Sequence, residues 1–324
     1  MRVELRRGGL LESVHRIDAV VVGMGGVIWQ SPGAADSVTF MRSAAKPFQA
    51  LGLITSGSQE RFRFGSEEMA LAAASHYGTA EHTRVVSTML ERCGLTVGDL
   101  RCGAHPPYDK DAAAALSGPP TALHSNCSGK HAAMLAQCVA AGWDLDYLPL
   151  AHPVQQRNRD AVAAFAELEV ESIGTGTDGC GVPTFRLPLA AIAVAFRNLV
   201  RPTEQTPALA DAAARITGAM RAHPYLVGGH GVFGSELMAA SGGQLVAKGG
   251  AEGLIGIGLG EAGLGIAVKV ADGSSRAVAV AAMAVLDRFD LLPPAAGEAL
   301  ASYRRPVVLN VAGHPVGELV PAFD

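Results

Sequence analysis

Apolar and polar residues are patterned as strands at both ends of the chain and as helices through its middle. VHRIDAVVVG and VIWQ alternate as strands and flank Met24-Gly25-Gly26, which reads as a hairpin turn. SVTFMR then predicts a short strand running into Ser43. Helical spacing follows near 46–55, 66–76, 81–92, 128–141 and 154–168, with Gly94 and Gly142 where helix C-caps are expected. The stretch ESIGTGTDGCGVPT, 172–185, is rich in Gly and Thr and predicts a loop. Helices resume near 187–199 and 206–221. QLVAKGG, LIGIGL and GIAVKVAD then predict strands, a helix spans 275–289, and PVVLNVAGHPVGELV closes the chain as a hairpin. The simplest packing is a single domain over 1–324. Its antiparallel sheet comes from about 1–45 and 243–324, with a largely helical middle over about 46–242. This is an α/β (α+β) fold class.

Composition narrows the functional classes. The chain is 49% hydrophobic and 17% charged, which describes a globular protein with a sizeable core. A net charge of -4 without a basic run argues against a nucleic-acid partner. The N-terminal MRVELRRGGLLESVHR has no apolar stretch of signal-peptide length. The apolar stretches 187–196 and 277–286 fall short of a membrane span and predict buried helices. Five cysteines, at 93, 102, 127, 138 and 180, have no close-spaced framework, so mostly reduced thiols and a cytoplasmic location are expected.

Four stretches could carry chemistry. Ser43-x-x-Lys46 places a hydroxyl and an amine on one turn of helix, with Pro47 tolerated in the first turn. A lysine activates a serine only when burial or a second cation lowers its pKa; the alternative is an N-capping Ser43 beside a surface Lys46. Lys248 in LVAKGGAEG lies on a strand, followed by two glycines that leave the backbone open to close approach. That arrangement loosely matches the lysine-glycine element of the serine penicillin-recognising enzymes, whereas an ordinary edge strand also carries a guarding lysine. Ser75, in SHYG, is a second hydroxyl or simply a helix-terminal serine. Cys127, Lys130 and His131 share one helical face near its N-terminus, where a thiolate is favoured. With the distant Asp178-Gly179-Cys180 they could anchor an open metal site, or be buried unpaired thiols. No P-loop, dinucleotide-binding glycine pattern, G-x-S-x-G or H-E-x-x-H is present.

Taken together, FMRSAAKPFQA, SHYGTAEH, NCSGKHAAML, DGCGVP, MRAHPYLVGG, AKGGAEG, GLGIAVKVADG and PVGELVPAF resemble the Rhizobium etli-type L-asparaginases, or asparaginase II family, in order and over nearly the whole chain. The resemblance implies a serine β-lactamase/glutaminase-like fold and hydrolysis of the side-chain amide of L-asparagine in a cytoplasmic homodimer. It implies Ser43 and Lys46 as one catalytic pair and Ser75 and Lys248 as a second. It further implies Cys127, Lys130 and Cys180 as ligands of a zinc ion that positions substrate. Arg42, Asn126, His131 and Asp178 are then expected to bind substrate or to order its surroundings. Another amide hydrolase, acting on glutamine or a β-lactam, and a non-catalytic zinc-binding protein are the competing readings. One departure stands out. After HPYLVGG the family usually carries an arginine and an acidic–Thr pair, whereas this chain reads His230-Gly231-Val232-Phe233-Gly234-Ser235-Glu236.

Overall fold

A computed structural model describes residues 1–323. Among these described residues, eleven strands form two antiparallel sheets. The larger has the order β10-β11-β1-β2-β9-β8-β7, with β3 paired to β2. Its members are β1 (Arg2–Arg7), β2 (Leu10–Gly23), β3 (Gly26–Gln30), β7 (Leu245–Gly250), β8 (Leu254–Leu259), β9 (Leu264–Val270), β10 (Val307–Leu309) and β11 (Pro315–Ala322). The sheet is therefore built from both chain ends, as the alternation predicts. β2 is long enough to serve twice, pairing β1 through Leu10–Arg16 and β9 through Ile17–Val22. The predicted hairpin closes with Gly23 opposite Gly26.

Two apolar helices sandwich this sheet. Leu189–Val200 packs on β2, β8 and β9, and Ser275–Arg288 on β1, β8, β9 and β11. These are the two stretches that were too short for a membrane span, and among the described residues no helix is long and apolar enough to cross a membrane. The first helix sits directly on a glycine floor. A Cβ at Gly265 would collide with the Ala193 carbonyl, and one at Gly256 with the Phe196 ring.

The helical middle is also present, with one correction. The 172–185 segment is not all loop. β5 (Gly174–Thr177) and β6 (Pro183–Pro188) pair with each other, and β6 pairs with β4 (Val38–Phe40), forming a small second sheet. The glycines weaken any local strand preference that the threonines supply, and long-range pairing decides here. Only the Asp178–Val182 turn remains irregular, closed by the Asp178 N–H donating to the Val182 carbonyl at 2.8 Å. The predicted 66–76 helix stops at Ala72, and residues 75–77 run extended, with Ser75 N–H bonded to Val227 O and Tyr77 N–H to Gly228 O. Gly94 and Gly142 adopt left-handed φ of 70° and 68° after their helices, as expected of caps.

Gly265→Val should overfill the helix–sheet contact and destabilise the fold by about 1–3 kcal/mol. Urea denaturation should show a lower midpoint with an unchanged slope.

Candidate active site

Ser43 and Lys46 sit where β4 ends. Met41 N–H donates to Phe185 O, the chain turns through a 3-10 segment Arg42–Ala45, and helix Lys46–Ala50 begins with Pro47 in its first turn. Arg42 takes a φ of 48°, which is uncommon for a side-chain-bearing residue. That conformation is held by Arg42 Nε donating to Asp178 Oδ1 at 2.7 Å and by Arg42 N–H donating to Thr184 Oγ1 at 3.2 Å. The turn thus aims Ser43 into a cavity. Ser43 makes no helix-capping bond, and Lys46 is fully buried rather than on the surface.

Lys248 reaches the same place from β7. That strand is an edge of the sheet, but its lysine points inward and is 4% exposed. One glycine beside it has a different use from the one expected. What comes close to Gly250 is the chain's own Met41–Ala44 turn, since a Cβ there would press on Met41 O and Ala44 N. Gly249 meets no such obstacle.

Ser75 lies between the two amines. Lys46 Nζ is 2.9 Å and Lys248 Nζ 2.8 Å from Ser75 Oγ. Each amine also donates to a backbone carbonyl, Asn126 O at 3.2 Å for Lys46 and Gly249 O at 3.0 Å for Lys248, and Lys46 faces the Cys127 thiol as well. Both lysines are held below the ordinary value of 10.5, chiefly by burial. For Lys248 the charge of Lys46 adds to this, and its depression is the deeper. Among the described residues Ser43 Oγ has no hydrogen bond to Lys46, although Ser43, Ser75, Asn126 and Lys248 all line one cavity of about 1120 Å³.

Beside this group lies the sulfur cluster. Cys127 is the N-cap of helix Ser128–Ala141, and Lys130 one turn on places Nζ 3.0 Å from Cys180 Sγ. Asp178 Oδ2 lies 3.9 Å from that sulfur and 4.0 Å from Lys130 Nζ. All five cysteines are free and buried, yet their thiols differ. Burial pushes Cys93 and Cys138 up to about 12, and Cys102 upward too. Cys127 alone is held well below the usual thiol range, by a hydrogen bond from Cys180 and, against its own burial, by Lys46 and Lys130. Cys180 moves upward because it keeps the proton shared between the two sulfurs. Burial would lower Lys130, but the two sulfurs and Asp178 outweigh it and raise it. Burial likewise would raise Asp178, but Lys130 and Arg42 hold it down. Among the described residues no three His, Cys, Asp or Glu side chains form a metal-binding group. The donor set here is two sulfurs and an amine, a chemistry that suits a borderline-soft cation such as zinc.

The expected substrate contacts divide. Asn126 lines the cavity, while Arg42, Asp178 and His131 do not. His131 is fully buried, with Nδ1 2.8 Å from Tyr147 OH, because its ring turns into the core. Two further residues position the site. His76 Nδ1 accepts from Gly78 N–H at 3.1 Å, so its Nε2–H donates to Ser128 Oγ at 2.8 Å, tying the Ser75 segment to the sulfur-bearing helix. Burial keeps that imidazole neutral, well below 6.5. His105 Nε2 accepts from Asn126 N–H at 3.0 Å. The proline pair after His105, which fixes an extended path, was the available signal.

A hydroxyl between two buried amines can pass a proton to and from an acyl centre, a chemistry that suits an amide hydrolase. The chain belongs to the L-asparaginase II family, whose model matches residues 3–321, and it is an asparaginase-type amidohydrolase. Among solved structures it is similar to the crystal structure of a beta-lactamase from Mycobacterium bovis, at 14% identity and a TM-score of 0.40, covering 89% of this chain and 95% of that one. That likeness bears on neither substrate nor mechanism. A comparison with curated proteins found no match.

Lys248→Met should remove turnover by about 10²–10⁴-fold while raising Tm by about 2 °C or more. The sign follows from linkage. The unfolded chain binds a proton at Lys248 up to about pH 10.5 that the folded chain resists, so folding weakens as pH falls from 10.5 toward the lowered folded value. The variant should lose that part of the pH dependence of Tm. A fall in Tm would make Lys248 a structural tie.

Proposed function

We propose that this protein hydrolyses the side-chain amide of L-asparagine to L-aspartate and ammonia by a two-step acyl transfer on a serine β-lactamase-like scaffold. The Lys46–Ser75–Lys248 bridge carries this reading. Ser43 Oγ attacks the amide carbon, and the amine of Lys46, whose proton affinity burial lowers, takes up its proton once it is in the free-base form. Ser75, held by Lys46 and Lys248, passes its proton to the departing ammonia and is reprotonated by the ammonium of Lys46, which returns to its free-base form. Water then releases aspartate through the reverse sequence. Backbone N–H groups serve the oxyanion, each worth about 3 kcal/mol. The bond from Ser43 to Lys46 forms when substrate closes the site, since catalytic hydrogen bonds often tighten only then.

The placement of both amines on Ser75 favours one alternative, in which Ser75 is the nucleophile. Trapping the acyl-enzyme with a slow amide or ester substrate, followed by peptide mass mapping, separates the two. The adduct is expected on Ser43 and absent from Ser43→Ala; an adduct on Ser75 would reverse the roles.

Cys127, Lys130 and Cys180 would hold a zinc ion, with Asp178 beside them. When bound, the ion supplies a fixed positive charge for the polar α-groups of the substrate. Lys130 would have to give up its proton to donate a lone pair. Metal analysis should find about one zinc per chain, lost in Lys130→Ala. Chelation should raise KM more than it lowers kcat. Loss of kcat at saturating asparagine would instead put the metal in the chemistry. Five free, buried thiols suit the reducing cytoplasm. A homodimer is proposed on the family resemblance.

A further inference from the structure

A second polar cavity, of about 400 Å³, opens where β2 and β9 meet the segment leading into β4, and it shares no lining residue with the catalytic cavity. Its size falls within the range of small-molecule sites. Arg16 and Asp18 of β2, Lys269 of β9, and Asp36, Ser37 and Thr39 line it. Asp18 is the anomaly. It is 5% exposed, and its Oδ1 is buried without a hydrogen bond among the described residues. A buried carboxylate with no donor is costly, and such groups are ordinarily paired. Lys269 stands directly opposite on β9 and feels the Asp18 charge, yet its amine donates to Glu252 O at 2.7 Å and to Val270 O. Arg16 and Asp36 are exposed at the rim, and among the described residues neither side chain has a hydrogen bond or ion pair. The cavity therefore presents one unmet guanidinium and two unmet carboxylates, and the catalytic mechanism uses none of them.

We propose that this cavity is a binding site for a free α-amino acid with a small, uncharged, polar side chain. The ligand's ammonium meets Asp18, with Asp36 beside it, and supplies the donors that the chain withholds from that carboxylate. Its carboxylate meets Arg16, whose planar fork suits a pair of oxygens. Arg16 and Asp18 lie two apart on one strand, so their side chains share a face with about 7 Å between them. The two α-groups of an amino acid bridge that spacing. The hydroxyls of Ser37 and Thr39 serve its side chain. Gly33 narrows the cavity least, since even a Cβ there would stand 3.9 Å from Asp18 Oδ1. A metal ion fits less well, because a guanidinium and an amine stand in the same walls. A ligand with a single charge leaves either Arg16 or Asp18 unmet.

Isothermal titration calorimetry tests this with L-serine, which has no amide to hydrolyse. Ethanolamine, which lacks its carboxylate, and β-hydroxypropionate, which lacks its amine, are the controls. The expected result is saturable binding of L-serine, with each control weaker by about ten-fold or more. Arg16→Gln and Asp18→Asn should each weaken L-serine by about ten-fold or more. Asp18 Oδ1 has no hydrogen bond to lose, so Asp18→Asn should fold as the parent does, which circular dichroism checks. Arg16→Gln, on the surface, gives the same reading without touching the core. L-serine binding that both variants retain at full strength lies elsewhere in the molecule and overturns the inference. So does a control that binds as tightly as L-serine, and so does the absence of saturable binding.

Discussion

Two buried lysine amines meeting on one serine hydroxyl are the constraint on which the rest of this structure depends. Ammonium groups are costly to bury. The molecule accommodates them by lowering their proton affinity and by giving each amine one backbone carbonyl, Asn126 O or Gly249 O. Burial that would count as a defect in a structural protein is what the proposed mechanism uses, because it lowers the proton affinity of the amines. The arrangement therefore trades stability for reactivity, a common exchange at active sites.

The fold brings the three groups together from distant parts of the chain. Lys46 comes from the turn after β4, Ser75 from an extended segment beyond a short helix, and Lys248 from an edge strand. Each arrival depends on a local device: the left-handed Arg42 pinned by Asp178, the pairing of residues 75–77 with 227–228, and the close pass of Gly250 over Met41. Asp178 also touches the sulfur cluster through Lys130 and Cys180. The turn that carries Ser43 and the proposed metal donors are thus held by one carboxylate. The acidity of Cys127 and the lowered proton affinity of Lys46 and Lys248 have different origins: a hydrogen bond from Cys180, then the nearby Lys46 and Lys130, holds the thiol down against its burial, whereas burial is what lowers the two lysines.

Much of this was legible in residue order. Strand alternation located the sheet at both chain ends, and the glycine caps at 94 and 142 ended their helices where expected. The motifs around Ser43, Ser75, Cys127, Cys180 and Lys248 marked the residues that the fold then collects. The misreadings fell where local preference is weak. Gly174–Thr177 is a strand because β6 pairs with it, and Ser75 lies outside its helix because Val227 offers a better partner.

Sequence alone determined most of the element types and the polar side chains available for chemistry, since these follow from periodicity and residue type over short spans. Which hydroxyl stands between the lysines, whether those lysines are dry, which of five thiols is acidic and how far the cavity extends were decided only by tertiary structure. Each of these depends on distances between residues far apart in the chain, and on the exclusion of water that only the packed fold provides.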